Sequence, residues 1–243
     1  MTLVLTLITV VVLGTLLVVE RCKPALERSG GRGRLFRNVT LGALGSLLTF
    51  AVVTPLSLLF STLGPDWRAG WPPVVRVGSD ILLLDLFIYA WHRANHEIPF
   101  LWRFHRVHHF DGFLDVTSAL RFHPGEVLLS VVVRGALIIT MDIAALSILL
   151  FDALVILSAA FHHSNVRLTQ STDDLLRQVM VTPNHHRVHH IDNRTDTDSN
   201  YGTIFSLWDR LFKSYRSAPN PGKYGVEGET DKPLRQLLIN PLQ

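Results

Sequence analysis

All 12 histidines of this chain fall between His92 and His190, leaving the first 91 and the last 53 residues without one. Four groups stand out: His92-Arg93-Ala94-Asn95-His96, His105-Arg106-Val107-His108-His109, His162-His163 before Ser164-Asn165, and His186-Arg187-Val188-His189-His190. Residues i and i+4 of a helix share a face, so His92 and His96 can reach one metal ion. In H-x-x-H-H the first two histidines share a face and the third lies on the adjoining edge, which predicts three imidazoles converging from one turn. Two such motifs plus H-x-x-x-H supply eight nitrogen donors, and His163 makes a ninth. Zinc ordinarily takes about four ligands and octahedral iron about six, so two metal ions sharing these donors is the economical reading. Imidazole serves zinc, copper, iron and nickel alike, and ligand type alone leaves the metal open.

Other metal chemistries fit less well. A zinc protease of the H-E-x-x-H type needs a glutamate beside the first histidine, where this chain has Arg93. Haem ligation needs only paired axial histidines, far fewer than are present. A non-catalytic metal-binding or metal-transporting membrane protein is the rival class; a transporter would set its ligands near the bilayer midplane, whereas most of these lie on polar segments. The single cysteine, Cys22, rules out an intramolecular disulfide framework or a four-cysteine cluster. A net charge of +3 comes without a basic stripe interleaved with aromatics, so no nucleic-acid partner is expected.

The elements that must position these groups read as an all-α, integral-membrane helical bundle: three spanning helices plus a helical hairpin, under a cytosolic, histidine-rich di-metal cap. Thr2 to Val19 is an uncharged apolar run, about 27 Å long as a helix, followed rather than preceded by charge, and reads as an uncleaved anchor. Residues 20 to 38 carry Arg21, Lys23, Arg28, Arg32, Arg34 and Arg37 and read as a cytoplasmic loop. Val39 to Leu63 is a second apolar run, and the turn at 64 to 77, with Trp67 and Trp71, suits the opposite interface, which puts the N-terminus outside. A third helix from about Gly78 to His96 returns the chain to the cytoplasmic side. Val127 to Thr140 and Ile143 to Phe161 form the hairpin, its first arm short and interrupted by Arg134, so that a re-entrant arm and a full crossing both stay open. Either way an even number of crossings separates His109 from His163, and all groups can serve one cytoplasmic site. An amphipathic interfacial helix is expected within Tyr201 to Tyr215, and a weakly ordered tail from Pro219. The implied division is an anchor hairpin over 1–77, a catalytic region over 78–216 and a tail over 217–243.

Asp85 lies two helical turns before His92 on the same face, and an ionisable residue inside a membrane helix is a functional candidate, here as an acceptor orienting a ligand imidazole. Asp115, Asn165 and Asn200 are weaker candidates for the same supporting role.

Over roughly residues 85 to 215 the chain resembles the fatty acid hydroxylase superfamily, which includes sterol desaturases and related membrane lipid hydroxylases. The resemblance is carried by Asp85 to His96, Leu101 to His109, Arg121-Phe122-His123-Pro124-Gly125-Glu126, Phe161 to Asn165, and Asn200-Tyr201-Gly202 leading to Trp208-Asp209-Arg210-Leu211-Phe212. It implies a non-haem di-iron centre that uses O2 to hydroxylate, or less favourably desaturate, a fatty acyl, sterol-like or isoprenoid chain of a membrane lipid. By motif position it implies His92, His96, His105, His108, His109, His163, His186, His189 and His190 as ligands, with His123 a further one. His162 and His185 fall where the motifs vary and are read as neighbours. Electrons would come from an external ferredoxin- or cytochrome-type donor, since the chain shows no flavin, haem or iron–sulfur motif. Active site and C-terminus are expected in the cytoplasm; the oligomeric state is not fixed by these features.

Overall fold

The computed structural model describes the backbone of residues 2–218 and 222–242, with side chains from residue 7 onward; residues 219–221 and 243, including the predicted start of the tail at Pro219, lie outside the described residues. Every regular element among them is helical. The chain runs through α1 (Thr2–Cys22), α2 (Gly31–Phe60), α3 (Pro73–Glu97), α4 (Pro99–His109), α5 (Pro124–Thr140), α6 (Ala145–His163), α7 (Gln170–Leu176), α8 (Pro183–His189), α9 (Arg194–Thr197), α10 (Leu207–Leu211) and α11 (Leu234–Ile239). Two of these, Gly31–Phe60 and Ala145–His163, are long and apolar enough to cross a membrane by length and composition.

Proline punctuates the helices that carry histidines. α3, α4, α5 and α8 each open with proline at the first turn, where its missing N–H costs nothing and its fixed φ suits the helix. Ile98, forced extended by the proline after it, stops α3 one residue past Glu97 and folds α4 back, so that two histidine motifs face each other across a tight corner. Pro55 acts differently. It falls inside α2, where it cannot donate to the residue four back, and the π-helical turn at Thr49–Val53 absorbs the lost bond.

Two apolar clusters hold the bundle. Leu84, Ile138, Ile143, Ile148, Phe151 and Ile204 join α3, α5 and α6 to the segment before α10, and Leu41, Val107, Phe110 and Leu237 join α2, α4 and α11. The hairpin α5–α6 runs the whole length of the bundle. Its turn at Asp142, in the left-handed region (φ 51°), meets the connector after α2: Arg68 donates to the Asp142 carbonyl at 2.9 Å and pairs with Asp80 at 2.6 Å, both side chains almost fully buried. Its other end begins at His123, beside the histidine groups. Arg134, the charge that made the first arm look interrupted, pairs with Asp152 of α6 at 2.7 Å.

Three expectations change. The Arg-rich stretch 20–38 is not simply a loop at a membrane surface: from Gly31 it is already α2, and Arg34 in the first turn of that helix is buried and binds Asp111 (2.5 Å), Asp115 (2.8 Å) and the Phe113 carbonyl (2.7 Å). The amphipathic stretch from 201 to 215 forms only the five-residue α10, since Asp209 accepts from the Tyr201 and Gly202 amides and ties the backbone into a loop. The described part of the tail is packed: Leu237 is buried, Asp231 takes both Arg121 and Arg37, and Tyr224 bridges to Ile191.

Candidate metal centre

Two groups of imidazoles meet where α3, α4, α6 and α8 converge. The first comprises His92, His96, His105, His109 and His189, and the second His108, His163, His186 and His190; in each, one ligand atom per residue lies within 4.8 Å of all the others. The groups adjoin, with the His109 and His190 rings stacked at 4.5 Å between centroids.

The H-x-x-H-H motifs do not deliver three imidazoles to one point. His105 and His109 of α4 enter the first group and His108 the second; His186 and His190 enter the second and His189 the first. Helical geometry explains the division. At about 100° per residue, i+4 lies about 40° to one side of i and i+3 about 60° to the other, so the outer pair can share an ion while the middle histidine points elsewhere. α4 and α8 therefore contribute in opposite proportions, two and one against one and two.

Hydrogen bonds behind the rings set their tautomers. Nδ1 of His92 meets the Tyr201 carbonyl (2.8 Å), Nδ1 of His108 the Arg121 carbonyl (3.2 Å), Nδ1 of His163 the Ala159 carbonyl (2.8 Å) and Nδ1 of His189 the Ser199 carbonyl (2.7 Å). His105 uses Glu126 (2.9 Å) and His96 uses Asp198 (3.2 Å). A carbonyl can only accept, so each Nδ1 facing one carries the proton and Nε2 presents a lone pair inward.

Several of those lone pairs have no donor in the protein. Nε2 of His92, His96 and His189 is buried without a hydrogen bond. Nε2 of His163 and His108 approach to 3.0 Å with both protons held on Nδ1, an arrangement repulsive unless a cation lies between them. The His186–His163, His190–His186 and His109–His105 Nε2 separations are 3.0, 3.1 and 3.3 Å. Two nitrogens bound to one ion at about 2.0–2.1 Å lie about 3.0 Å apart at a right angle and about 3.4 Å apart at the tetrahedral angle. The donor set thus fits two metal ions. Burial, reinforced by repulsion from neighbouring imidazoles, holds His108, His109, His186, His189 and His190 well below the ordinary histidine range, which keeps them neutral and able to ligate.

The remaining predicted site residues sit elsewhere. His123 belongs to neither group: its Nδ1 accepts from the Gly125 amide (2.9 Å), capping α5, and its Nε2 faces the Leu238 carbonyl (3.1 Å). Asp85 touches no imidazole; it accepts from Trp208 Nε1 (2.8 Å) and from the Ile204 and Phe205 amides, anchoring the loop whose Tyr201 carbonyl takes His92. Asp115 binds Arg34, and although burial pushes its carboxyl up, that guanidinium more than offsets the effect and holds it low. Asn165 pins Leu26, and Asn200 donates to the His185 and Arg216 carbonyls. The His162 ring packs tilted against that of His186, 4.1 Å between centroids, and His185 meets Asp209 at 3.1 Å.

Glu126 and Asp198 are the carboxylates that meet the clustered imidazoles, and neither stands out in the sequence. Glu126 was within reach, three residues past His123 in a recognised motif. The four carbonyls carry no residue-type signal.

Comparison with known proteins places this site in a family. The fatty acid hydroxylase family matches residues 79–214, which include all nine clustered histidines. The chain is 29% identical over 202 residues to the ornithine lipid hydroxylase of Rhizobium tropici, covering 82% of this chain and 60% of that protein. It is 31% identical over 171 residues to alkylglycerol monooxygenase of Danio rerio (69% of this chain, 35% of that protein) and 30% identical over 167 residues to cholesterol 25-hydroxylase of Mus musculus (65% and 54%). The chain thus spans between about a third and three-fifths of these relatives' lengths. No solved structure gives a significant match. With more than half of its length inside the matched region, histidine groups included, the chain belongs to the fatty acid hydroxylase family.

Proposed function

We propose that this protein is an integral-membrane oxidoreductase that uses O2 and two histidine-held iron ions to hydroxylate, rather than desaturate, a membrane lipid. The observation that carries the reading is the pair of adjoining imidazole groups of five and four, in which Nε2 of His92, His96 and His189 is buried without a hydrogen bond and the other six crowd Nε2 to Nε2 at 3.0–3.3 Å. His92, His96, His105, His109 and His189 hold one ion, and His108, His163, His186 and His190 the other; His123 serves the helix instead. When bound, the iron pair supplies activation of O2 and abstraction of hydrogen from an unactivated C–H bond.

The chain's own residues do the rest. Glu126, Asp198 and the backbone acceptors fix the rings of His92, His96, His105, His108, His163 and His189 and raise their basicity. Eight of the nine clustered histidines are buried and His92 is half-buried, which limits the water that would divert the oxidant. Asp85 and Asp209 hold the 201–208 loop, and with it the His92 acceptor. Electrons come from a separate ferredoxin- or cytochrome-type protein.

Three features support a lipid at a membrane. The relatives are named for three different lipids and share the hydroxylase or monooxygenase description. α5 and α6, about 26 and 28 Å long, approach the hydrocarbon thickness and run between the histidine end and the Trp67–Trp71 end. The exposed Arg21, Lys23, Arg28 and Arg32 lie at the histidine end, which favours a cytoplasmic site and C-terminus with the N-terminus outside.

The test is turnover of the purified, iron-loaded protein in lipid bilayers with an electron donor and isotopically labelled O2. Hydroxylation gives a lipid carrying one labelled oxygen atom, desaturation an unlabelled alkene. A lipid pool unchanged in mass would overturn the reading.

A further inference from the structure

A cavity of about 500 Å3 lies behind α8, within the size range of small-molecule sites. It takes Asn184, His185, Arg187 and Val188 from that helix and none of the metal-facing His186, His189 and His190. Its other walls include the chain just beyond α1 (Ala25, Leu26) and just beyond α6 (Arg167, Leu168). It therefore sits at the ends of two bundle helices, the level of lipid headgroups if the bundle spans a bilayer.

Two buried charges in the wall lack adequate partners. Arg187 is 7% exposed, donates to Asn184 Oδ1 (2.9 Å) and the Ser164 carbonyl (3.1 Å), and has no carboxylate within ion-pair distance among the described residues. Asp173 is 1% exposed, and neither carboxylate oxygen has a hydrogen-bond partner. Its one ion pair is with Arg177, a loose 3.7 Å, and Arg177 is held more closely by Asp174. A carboxylate in the first turn of a helix is favourable, yet such groups are ordinarily solvated, and the helix dipole does not saturate two buried oxygens. Tyr224 Oη and His185 Nδ1, also on the wall, are buried without hydrogen bonds. Arg167 makes no ion pair among the described residues and adds positive charge at the rim.

Asp173 and Arg187 attract each other through space but do not touch, and buried charges are expensive unless directly paired, so a ligand bearing both signs answers both where one of a single sign answers only one. We propose that this cavity seats a zwitterionic lipid headgroup, with an ammonium against Asp173 and a carboxylate or phosphate against Arg187. The inference rests on the lipid-oxidising reading and narrows its substrate class to lipids carrying both charges in the headgroup.

Calorimetric titration of the full-length protein in detergent with short-chain probes tests it. The probes are an N-acyl ornithine and dihexanoyl phosphatidylethanolamine, which carry both charges; dihexanoyl phosphatidylglycerol, which is only anionic; neutral dihexanoylglycerol; and inorganic phosphate. The two zwitterions should bind about tenfold more tightly than the other probes, and Asp173→Asn should remove that advantage while leaving phosphatidylglycerol unchanged. Should Asp173→Asn not fold, the wild-type order decides alone. Equal binding of phosphatidylglycerol and the zwitterions overturns the proposal, as does an order unaltered in Asp173→Asn or phosphate binding as tightly as the phospholipids. The expected order without any oxidised lipid would keep this site and sink the reaction; oxidation with equal affinity for every lipid would do the reverse.

Discussion

At the scale of the residue, the centre depends on what stands behind each imidazole as much as on the imidazole. Glu126 meets His105 Nδ1 at 2.9 Å and is almost fully buried, so Glu126→Gln keeps the volume and weakens the acceptor. Loss of such a supporting group ordinarily lowers metal affinity about 10- to 100-fold, and a competitive chelator titration of Glu126→Gln should show a loss in that range. His123 supplies the contrast. Because its side chain caps α5 rather than joining either group, His123→Ala should keep full metal content and cost about 1 kcal/mol in stability, read from metal analysis and denaturant unfolding together.

At the scale of the element, much of the design was legible because it rests on residue types at fixed spacing. The H-x-x-x-H and H-x-x-H-H repeats predict the convergence of histidines that the fold shows, and proline positions explain where α3, α4, α5 and α8 begin. The partition of each H-x-x-H-H motif between the two imidazole groups follows from helical angles, yet only the packing of α4 against α8 reveals it. The spacing of Asp85 predicts that it faces the histidines of its own helix, but Trp208 and two amides from more than a hundred residues away claim its oxygens. Such long-range capture leaves no local trace, and neither does the burial of Arg34 at the start of α2 among exposed arginines. The 200–209 loop offers a test at this scale. A Cβ on Gly202 would stand 2.8 Å from Asp209 Oδ2 and 2.9 Å from the Phe205 carbonyl, so the backbone must shift. Gly202→Ala should displace the Tyr201 carbonyl from His92 and lower both melting temperature and metal affinity. Unchanged values would show that the loop does not position the ligand.

At the scale of the whole molecule, the site is a set of buried neutral imidazoles at one end of the bundle, and this makes stability depend on pH with a definite sign. His108, His109, His186, His189 and His190 titrate below the 6.5 of an ordinary histidine because they are buried and crowd one another. Below about pH 6.5 the unfolded chain takes up protons that the folded, metal-free chain refuses, so stability is full above that pH and declines as pH falls through the lowered values. Thermal melts of chelator-treated protein should therefore drop from about pH 6.5 downward, while metal-loaded protein holds its melting temperature until protons displace the metal. The central claim is that nine histidines hold two ions, one to each group. Elemental analysis of iron-reconstituted protein tests it most directly, with wild type and His186→Ala measured side by side. The account predicts about two irons per chain for the wild type and about one for His186→Ala, whose missing ligand belongs to the second group alone. One iron or none in the wild type, or two retained by His186→Ala, would contradict it.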